Sequence, residues 1–193
     1  MARTKEFDPD VALRRALELF WARGYEATSI TDLVAHLGIA KASIYGTFGS
    51  KQQLFERALQ RYIETTDPVI MAELSQPGQV LPAVHALVER FVSEASSDSR
   101  VLGCMVVNSA VELGPHDATI ARLVESSWAH LETTLTAALL RARAQGELGP
   151  DSDPRALARF LLVFFQGLRV IERTPESTAR LRDAARVAVS VLR

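Results

Sequence analysis

Apolar residues recur along this chain at the three-and-four spacing of an amphipathic helix, and no stretch alternates with the period of two that a half-buried strand requires. Leu13, Ala16, Leu17 and Phe20 form a first stripe. Asp8 precedes it as a cap, Pro9 occupies the first turn where its missing N–H costs nothing, and Gly24 ends it. A second stripe, Ile30, Leu33, Val34 and Leu37, follows Ser29, with Asp32 three residues on as an approximate capping box, and stops at Gly38. A third, short helix is predicted almost at once over Lys41–Phe48, with Ile44 and Phe48 as its apolar side. Ser50 and Gln53 open a fourth, packed through Leu54, Phe55, Ala58, Leu59 and Tyr62; Asp67-Pro68 is expected to end or kink it.

Five more helices are predicted at Val80–Ser97, Val101–Leu113, Asp117–Gln145, Pro154–Arg173 and Pro175–Leu192. Gln76-Pro77-Gly78, Ser96-Ser97-Asp98, Gly114-Pro115, Gly149-Pro150-Asp151 and Thr174-Pro175 divide them. The pattern reads as an all-α protein of about nine helices. A three-helix helix-turn-helix head is joined through a fourth helix to a helical-bundle body, with the head over residues 6–66 and the body over 67–193.

Composition narrows the class. With 48% hydrophobic and 23% charged residues in 193, the chain is of the globular rather than the disordered kind. Its formal net charge of −1 makes it no polycation, so any affinity for nucleic acid must come from where the charge sits. All of its lysines, Lys5, Lys41 and Lys51, lie in the first 51 residues, and no Asp or Glu occurs from Leu33 to Phe55. The single cysteine, Cys104, excludes an intrachain disulfide and any Cys-based metal site. The start of the chain lacks the apolar core of a signal peptide, and the longest apolar run, Phe160 to Phe165, is far short of the roughly 20 residues of a membrane span. A cytoplasmic protein without membrane contact is expected. His36, His85, His116 and His130 show no metal-ligand spacing, and no phosphate loop or nucleophile elbow is present, so neither an enzyme nor a cofactor or metal is expected.

Ser29 to Phe48 is the informative segment. Two short amphipathic helices joined at Gly38 suit a helix-turn-helix, whose second helix enters the major groove of duplex DNA. The polar side of Lys41–Phe48 offers Lys41, Ser43, Tyr45 and Thr47, a cation and three hydroxyl groups that can donate to phosphate oxygens or base edges. Lys51, at the start of the fourth helix, adds a second anion site. The same pattern also fits a compact helical hairpin without a ligand, and spacing alone leaves both open.

A resemblance separates them. Ala16-Leu17-Glu18-Leu19-Phe20, Gly24-Tyr25, Thr28-Ser29-Ile30, Leu33-Val34, Leu37-Gly38-Ile39-Ala40-Lys41-Ala42-Ser43-Ile44-Tyr45, Phe48-Gly49-Ser50-Lys51 and Leu54-Phe55 stand in an order that strongly resembles the head of the TetR/AcrR regulators. The likeness covers residues 9–60; beyond them it is one of length, helical character and two final apolar helices. It implies a homodimer that binds a palindromic operator, most simply a repressor released by a small molecule. By position it implies that Lys41 and Ser43 approach bases, that Tyr45 and Lys51 grip phosphates, and that Ser29 brings the second helix's N-terminus to the backbone; Ala42, which still permits close approach, and Thr47, expected to carry more of the affinity, complete the DNA-binding set. The chain departs from the pattern at Ala40, where a capping Ser is common, at Ala42, often Gly, and at Gly46, where a His or Tyr often contacts phosphate.

The body yields fewer signals. Pro154–Arg173 is apolar on nearly every side, and the last helix carries small residues, which together with the resemblance suggests a two-fold four-helix interface. Leu157, Phe160, Leu161, Phe164, Leu168, Leu181, Ala185, Ala188 and Leu192 are its expected members. A central buried helix in a monomer is the alternative. Phe91, Met105, Asn108, Trp128 and Phe164 are candidate lining for an effector pocket, with His85, Glu112 and His130 as polar neighbours. Cys104 reads as an inert core cysteine, although a thiol near a helix start is also placed to sense an electrophile or oxidant. Two further readings stay open at this point: a DNA-binding dimer without an effector, and a helical enzyme or adaptor with a vestigial head.

Overall fold

Local chemistry sets the first four helices. In the computed structural model, which describes residues 7–95, 102–174 and 178–192, α1 spans Pro9–Arg23 and Asp8 caps it by accepting from Asp10 N and Val11 N. Gly24, at φ 84°, turns the chain out of α1 while its N–H still bonds Phe20 O at 2.7 Å. Helix α2 (Ile30–Leu37) opens on a full capping box between Ser29 and Asp32 and closes on the left-handed Gly38. Helix α3 (Lys41–Phe48) has Ala40 at its cap position and therefore no side-chain cap. Helix α4 (Lys51–Leu74) opens on the Ser50–Gln53 capping box.

The buried face of α1 is rotated from the expected stripe. Ala12 and Leu19 join Ala16 and Phe20 in the core, while Leu13 and Leu17 are only partly buried. The reason is tertiary, since α1 is flanked by both α2 and α4 and buries the arc facing the two of them. Edge contacts of Phe55 with Phe20 (5.1 Å between ring centres) and Tyr25 (5.2 Å) lock α4 across the head.

Pro68 does not end α4; the helix runs through it to Leu74. Proline forfeits one intrahelical hydrogen bond, but continuing places Ile70 and Leu74 in the core of the body. The border expected at 66/67 thus falls inside an unbroken helix.

The body comprises α5 (Leu81–Ala95), α6 (Met105–Glu112), α7 (Ala118–Ala144), α8 (Pro154–Ile171) and α9 (Thr178–Ser190), and the described residues contain no strand. Asp117 and Asp153 cap α7 and α8 by accepting from the second and third amides beyond them. Helix α6 begins four residues later than expected, because Gly103 at φ +64° breaks the run and Cys104 holds an extended cap conformation. Val101, Ser97 and Pro175, expected at helix ends, lie outside the described residues. Phe91 of α5 stacks on Phe165 of α8 at 4.3 Å in the middle of the body core. Met105 and Val106 of α6 and Leu113 just after it, with Ile120 and Val124 of α7, instead complete the core of the head. Among the described residues no helix is long and apolar enough to cross a membrane.

Candidate nucleic-acid interface

Helix α3 is fixed from beneath and bare above. Ile44 and Phe48 are buried in the head core, whereas Lys41, Ala42, Tyr45 and Gly46 are exposed and Ser43 and Thr47 are half-buried at its edges. The Arg57 guanidinium reaches from α4 to the Thr47 carbonyl at 3.4 Å and lies 5.8 Å from the Phe48 ring centre, holding the end of α3. Lys41 Nζ stands 5.8 Å from the ring centre of Tyr45, one turn away, so the cation and the phenol share one outward strip. A Cβ built on Gly46 would meet nothing within 4 Å, which confirms an open surface there.

Ser29 and Lys51 are more occupied than their positions along the chain suggest. The Ser29 hydroxyl accepts from Asp32 N at 3.1 Å and donates to the Asp32 carboxylate, so its side chain caps α2. That hydroxyl is the chief reason the Asp32 carboxyl is held below its usual pKa, with the Ser29 amide and Arg23 adding to it. Lys51 Nζ sits 4.1 Å from the ring centre of Tyr25, tying the start of α4 to the turn between α1 and α2. The phenol of Tyr25 is in turn pushed above its usual pKa by burial and by Glu26. Arg57 is a contributor that sequence reasoning did not find; its spacing from α3 gave no signal.

Behind the head, α4, α5, α6, α7 and α8 enclose a cavity of about 60 Å³. Of the expected lining, Phe91 and Trp128 are on its wall, as are His130 and Cys104. Met105 is buried in the head core instead, because α6 turns it toward α1 and α4. Asn108 faces a different cleft, where its Oδ1 accepts from Arg173 at 2.9 Å and its Nδ2 donates to Leu102 O at 3.1 Å. Phe164 packs between Phe160 and Phe165 on α8. Sequence reasoning missed Tyr62, Asp67 and Met71 from α4 and Arg169 from α8. The Tyr62 hydroxyl donates to Cys104 Sγ at 3.7 Å, and burial drives its pKa well above the usual phenol value.

Two contacts join this region to the head. Trp21 Nε1 donates to Gly103 O at 2.9 Å, and the Glu112 carboxylate accepts from Tyr25 N at 3.0 Å and Glu26 N at 2.8 Å. Both ends of α6 are thereby fastened at the C-terminal end of α1. His85, a suggested polar neighbour of the pocket, is not on its wall.

The expected interface residues divide by burial. Leu161, Leu168, Leu181, Ala185, Ala188 and Leu192 point into the chain's own core and present no surface to a second copy. Leu157 and Phe164 are half-buried and Phe160 is exposed. The outward apolar residues are Phe160, Val163, Val170 and Ile171 on α8, Val187 on α9 and Val191 just after it, with Val163 71% exposed. The correction arises because α8 is apolar on two faces, and only packing decides which one the body consumes.

Comparison with known proteins settles the class. Residues 12–58 match the family described as bacterial regulatory proteins, tetR family, and residues 80–188 match the tetracyclin repressor-like C-terminal domain. The chain belongs to the TetR family. It is 41% identical over 193 residues to the HTH-type transcriptional regulator YezE of Bacillus subtilis (strain 168), covering 100% of both chains. It is 35% identical over 186 residues to the HTH-type transcriptional repressor ComR of Escherichia coli (strain K12), covering 95% of this chain and 88% of ComR. Its fold superposes with a TM-score of 0.86 on a cysteine-substituted CifR, a TetR-family regulator complexed with 26-bp double-strand operator DNA, at 28% identity and 100% coverage of both chains. The family is one of regulators rather than enzymes. In this TetR-family chain the N-terminal match takes in the whole of α2 and α3, and the C-terminal match spans α5 to all but the end of α9.

Proposed function

We propose that the protein is a homodimeric repressor that lays α3 in successive major grooves of a palindromic operator and leaves it when a small molecule occupies the cavity. The observation that carries this reading is the outward strip of α3: Lys41 and Tyr45 project from a helix anchored by Ile44 and Phe48, in a stretch with no acid between Leu33 and Phe55. Such a surface gives phosphate oxygens donors at fixed positions without like-charge repulsion. Lys41 and Ser43, on the N-terminal turn, are the residues proposed for base edges, with Ala42 between them permitting close approach. The match to an operator-bound regulator supports the reading. For the dimer, the apolar strip from Phe160 to Ile171 on α8, continued by Val187 on α9 and Val191 just after it, supplies a surface of the kind a two-fold helix pair covers.

Footprinting on the DNA upstream of its own gene tests the reading. A protected palindrome is expected, with affinity falling steeply as salt rises. Lys41→Ala and Tyr45→Ala should each weaken binding about tenfold with the dimer intact. No protection, or variants that bind as well as the parent, would defeat the proposal.

A second reading of the same cavity is favoured by the position of Cys104. Its Sγ lies on the cavity wall within reach of the Tyr62 hydroxyl. In that reading Sγ adds across an activated C=C bond: the C–S bond forms as the π bond breaks, the thiol proton passes to solvent, the adjacent carbon takes up a proton from solvent, and the added bulk displaces α6. Cys104→Ser would then bind DNA normally and keep it when treated with N-ethylmaleimide, while the parent lets go; release from both proteins would discard the thiol.

A further inference from the structure

Three walls of the cavity bring a charged or titrating group to it: Asp67 on α4, His130 on α7 and Arg169 on α8. Arg169 is satisfied within the protein by Glu94 at 2.7 Å and Glu172 at 3.5 Å, and its guanidinium covers Phe91 at 4.5 Å. Asp67 accepts from the Ser127 hydroxyl, at 3.3 and 3.5 Å, with the His130 imidazole nearby, and burial holds its carboxyl above the usual pKa; among the described residues no arginine or lysine forms an ion pair with it. A carboxylate has about four lone-pair sites, so Asp67 keeps acceptor capacity that the protein leaves unused. Trp128 Nε1, on the same wall, is a buried donor with no partner. Of the residues on the wall Asp67 carries the carboxylate, Arg169 is already paired with Glu94 and Glu172, and Tyr62, Phe91 and Trp128 add aromatic surface. A carboxylate with spare acceptor capacity beside aromatic faces receives a cation.

Asp67 also stands at the weakest part of α4. Pro68 offers no N–H to the Glu64 carbonyl. One turn earlier, Thr65 and Thr66 bend their hydroxyls back onto the carbonyls of Arg61 and Tyr62, a habit that loosens and curves helices. The anchor for a guest and the proline that removes a hydrogen bond from the helix joining head to body are therefore adjacent residues.

We propose, resting on the reading of the cavity as the effector site, that its guest is a small protonated amine with an apolar body. The ammonium binds Asp67, any acceptor on the guest takes the Trp128 N–H, and occupancy re-angles α4 at Pro68. Size limits the guest as strongly as charge. The cavity's 60 Å³ is well under the roughly 150 Å³ that holds a benzene ring, which leaves room for about four to six heavy atoms.

Butylamine, 1-butanol and butyrate, at matched ionic strength and neutral pH, have the same carbon chain with three different heads. Thermal unfolding of the full chain and retention of DNA from upstream of its own gene are the readouts. Butylamine should raise Tm by about 3 °C at ten times its Kd and release DNA. The alcohol and the acid should need at least about tenfold more. Asp67→Asn should erase the amine's advantage, whereas Glu125→Gln, which removes an exposed carboxylate of α7 that is not on the cavity wall, should keep it. Equal or tighter binding of butanol or butyrate, an unchanged amine Kd in Asp67→Asn, or no binding by any of the three overturns the assignment. Ser127→Phe separates this from failure of the effector reading, because it fills the cavity without a ligand. If that variant stays folded and loses DNA while butylamine has no effect, only the amine falls; if neither affects DNA binding, the effector reading falls too.

Discussion

At the scale of single residues, the head spends some side chains on its own geometry and leaves others free. Ser29 belongs to the first kind: its hydroxyl caps α2 and holds the Asp32 carboxyl below the usual range. A carboxyl depressed in the folded state stabilises the protein above its unfolded pKa and ceases to as pH falls through the folded value. Ser29→Ala should therefore lower stability near neutral pH, and the deficit should shrink below about pH 4, where Asp32 is protonated in the unfolded chain; urea unfolding at pH 7 and pH 3 measures it. Gly46 belongs to the second kind, an ordinary helical position with open space above it. Gly46→Ala should raise stability by about 0.5–1 kcal/mol, read as a higher urea midpoint with the slope unchanged. Ser29 as a cap was legible because its partner is three residues away. That Lys51 stacks on Tyr25 was not, because 26 positions of sequence hide a 4.1 Å contact.

Between elements, α6 is the short piece on which head and body meet. Eight residues long, it gives Met105 to the head core and Val106 to both that core and the cavity wall, while Glu112 grips the amides that follow α1. A charged acceptor on two backbone donors contributes about 1–2 kcal/mol where it is partly solvated. Glu112→Ala should cost roughly that much, and the amides of Tyr25 and Glu26 should exchange with deuterium faster while those of α8 do not change. Uniform acceleration across the protein would mean global destabilisation rather than a released joint. Helix ends were readable wherever an Asp, Ser or Gly marked them, as at Asp8, Ser29, Gly38 and Asp153. The passage of α4 through Pro68 was not readable, since the local penalty of proline is outweighed by burial of Ile70 and Leu74 against helices remote in sequence.

For the whole molecule, the decisive division is between the two apolar faces of α8. Leu161 is buried in its own chain, and Leu161→Ala should cost about 2–5 kcal/mol of stability. Val163, 71% exposed two positions along, lies on the proposed interface. Val163→Glu should give a folded monomer with weakened operator binding, seen by sedimentation and by titration of the protected fragment. A dimer that survives this change would remove α8 from the interface. The amino-acid sequence by itself determined the helical class, most helix starts, the two short helices joined at Gly38 and the outward cation and phenol of α3, because caps, glycine stops and three-and-four spacing act over one or two turns. Only the tertiary structure decided which side of α8 is inside, where α6 attaches, and that Asp67, Cys104, Trp128 and Arg169 share a cavity. Those outcomes depend on packing between segments far apart in the chain, where many apolar patterns are compatible with the same local helix and just one set of faces can close the core.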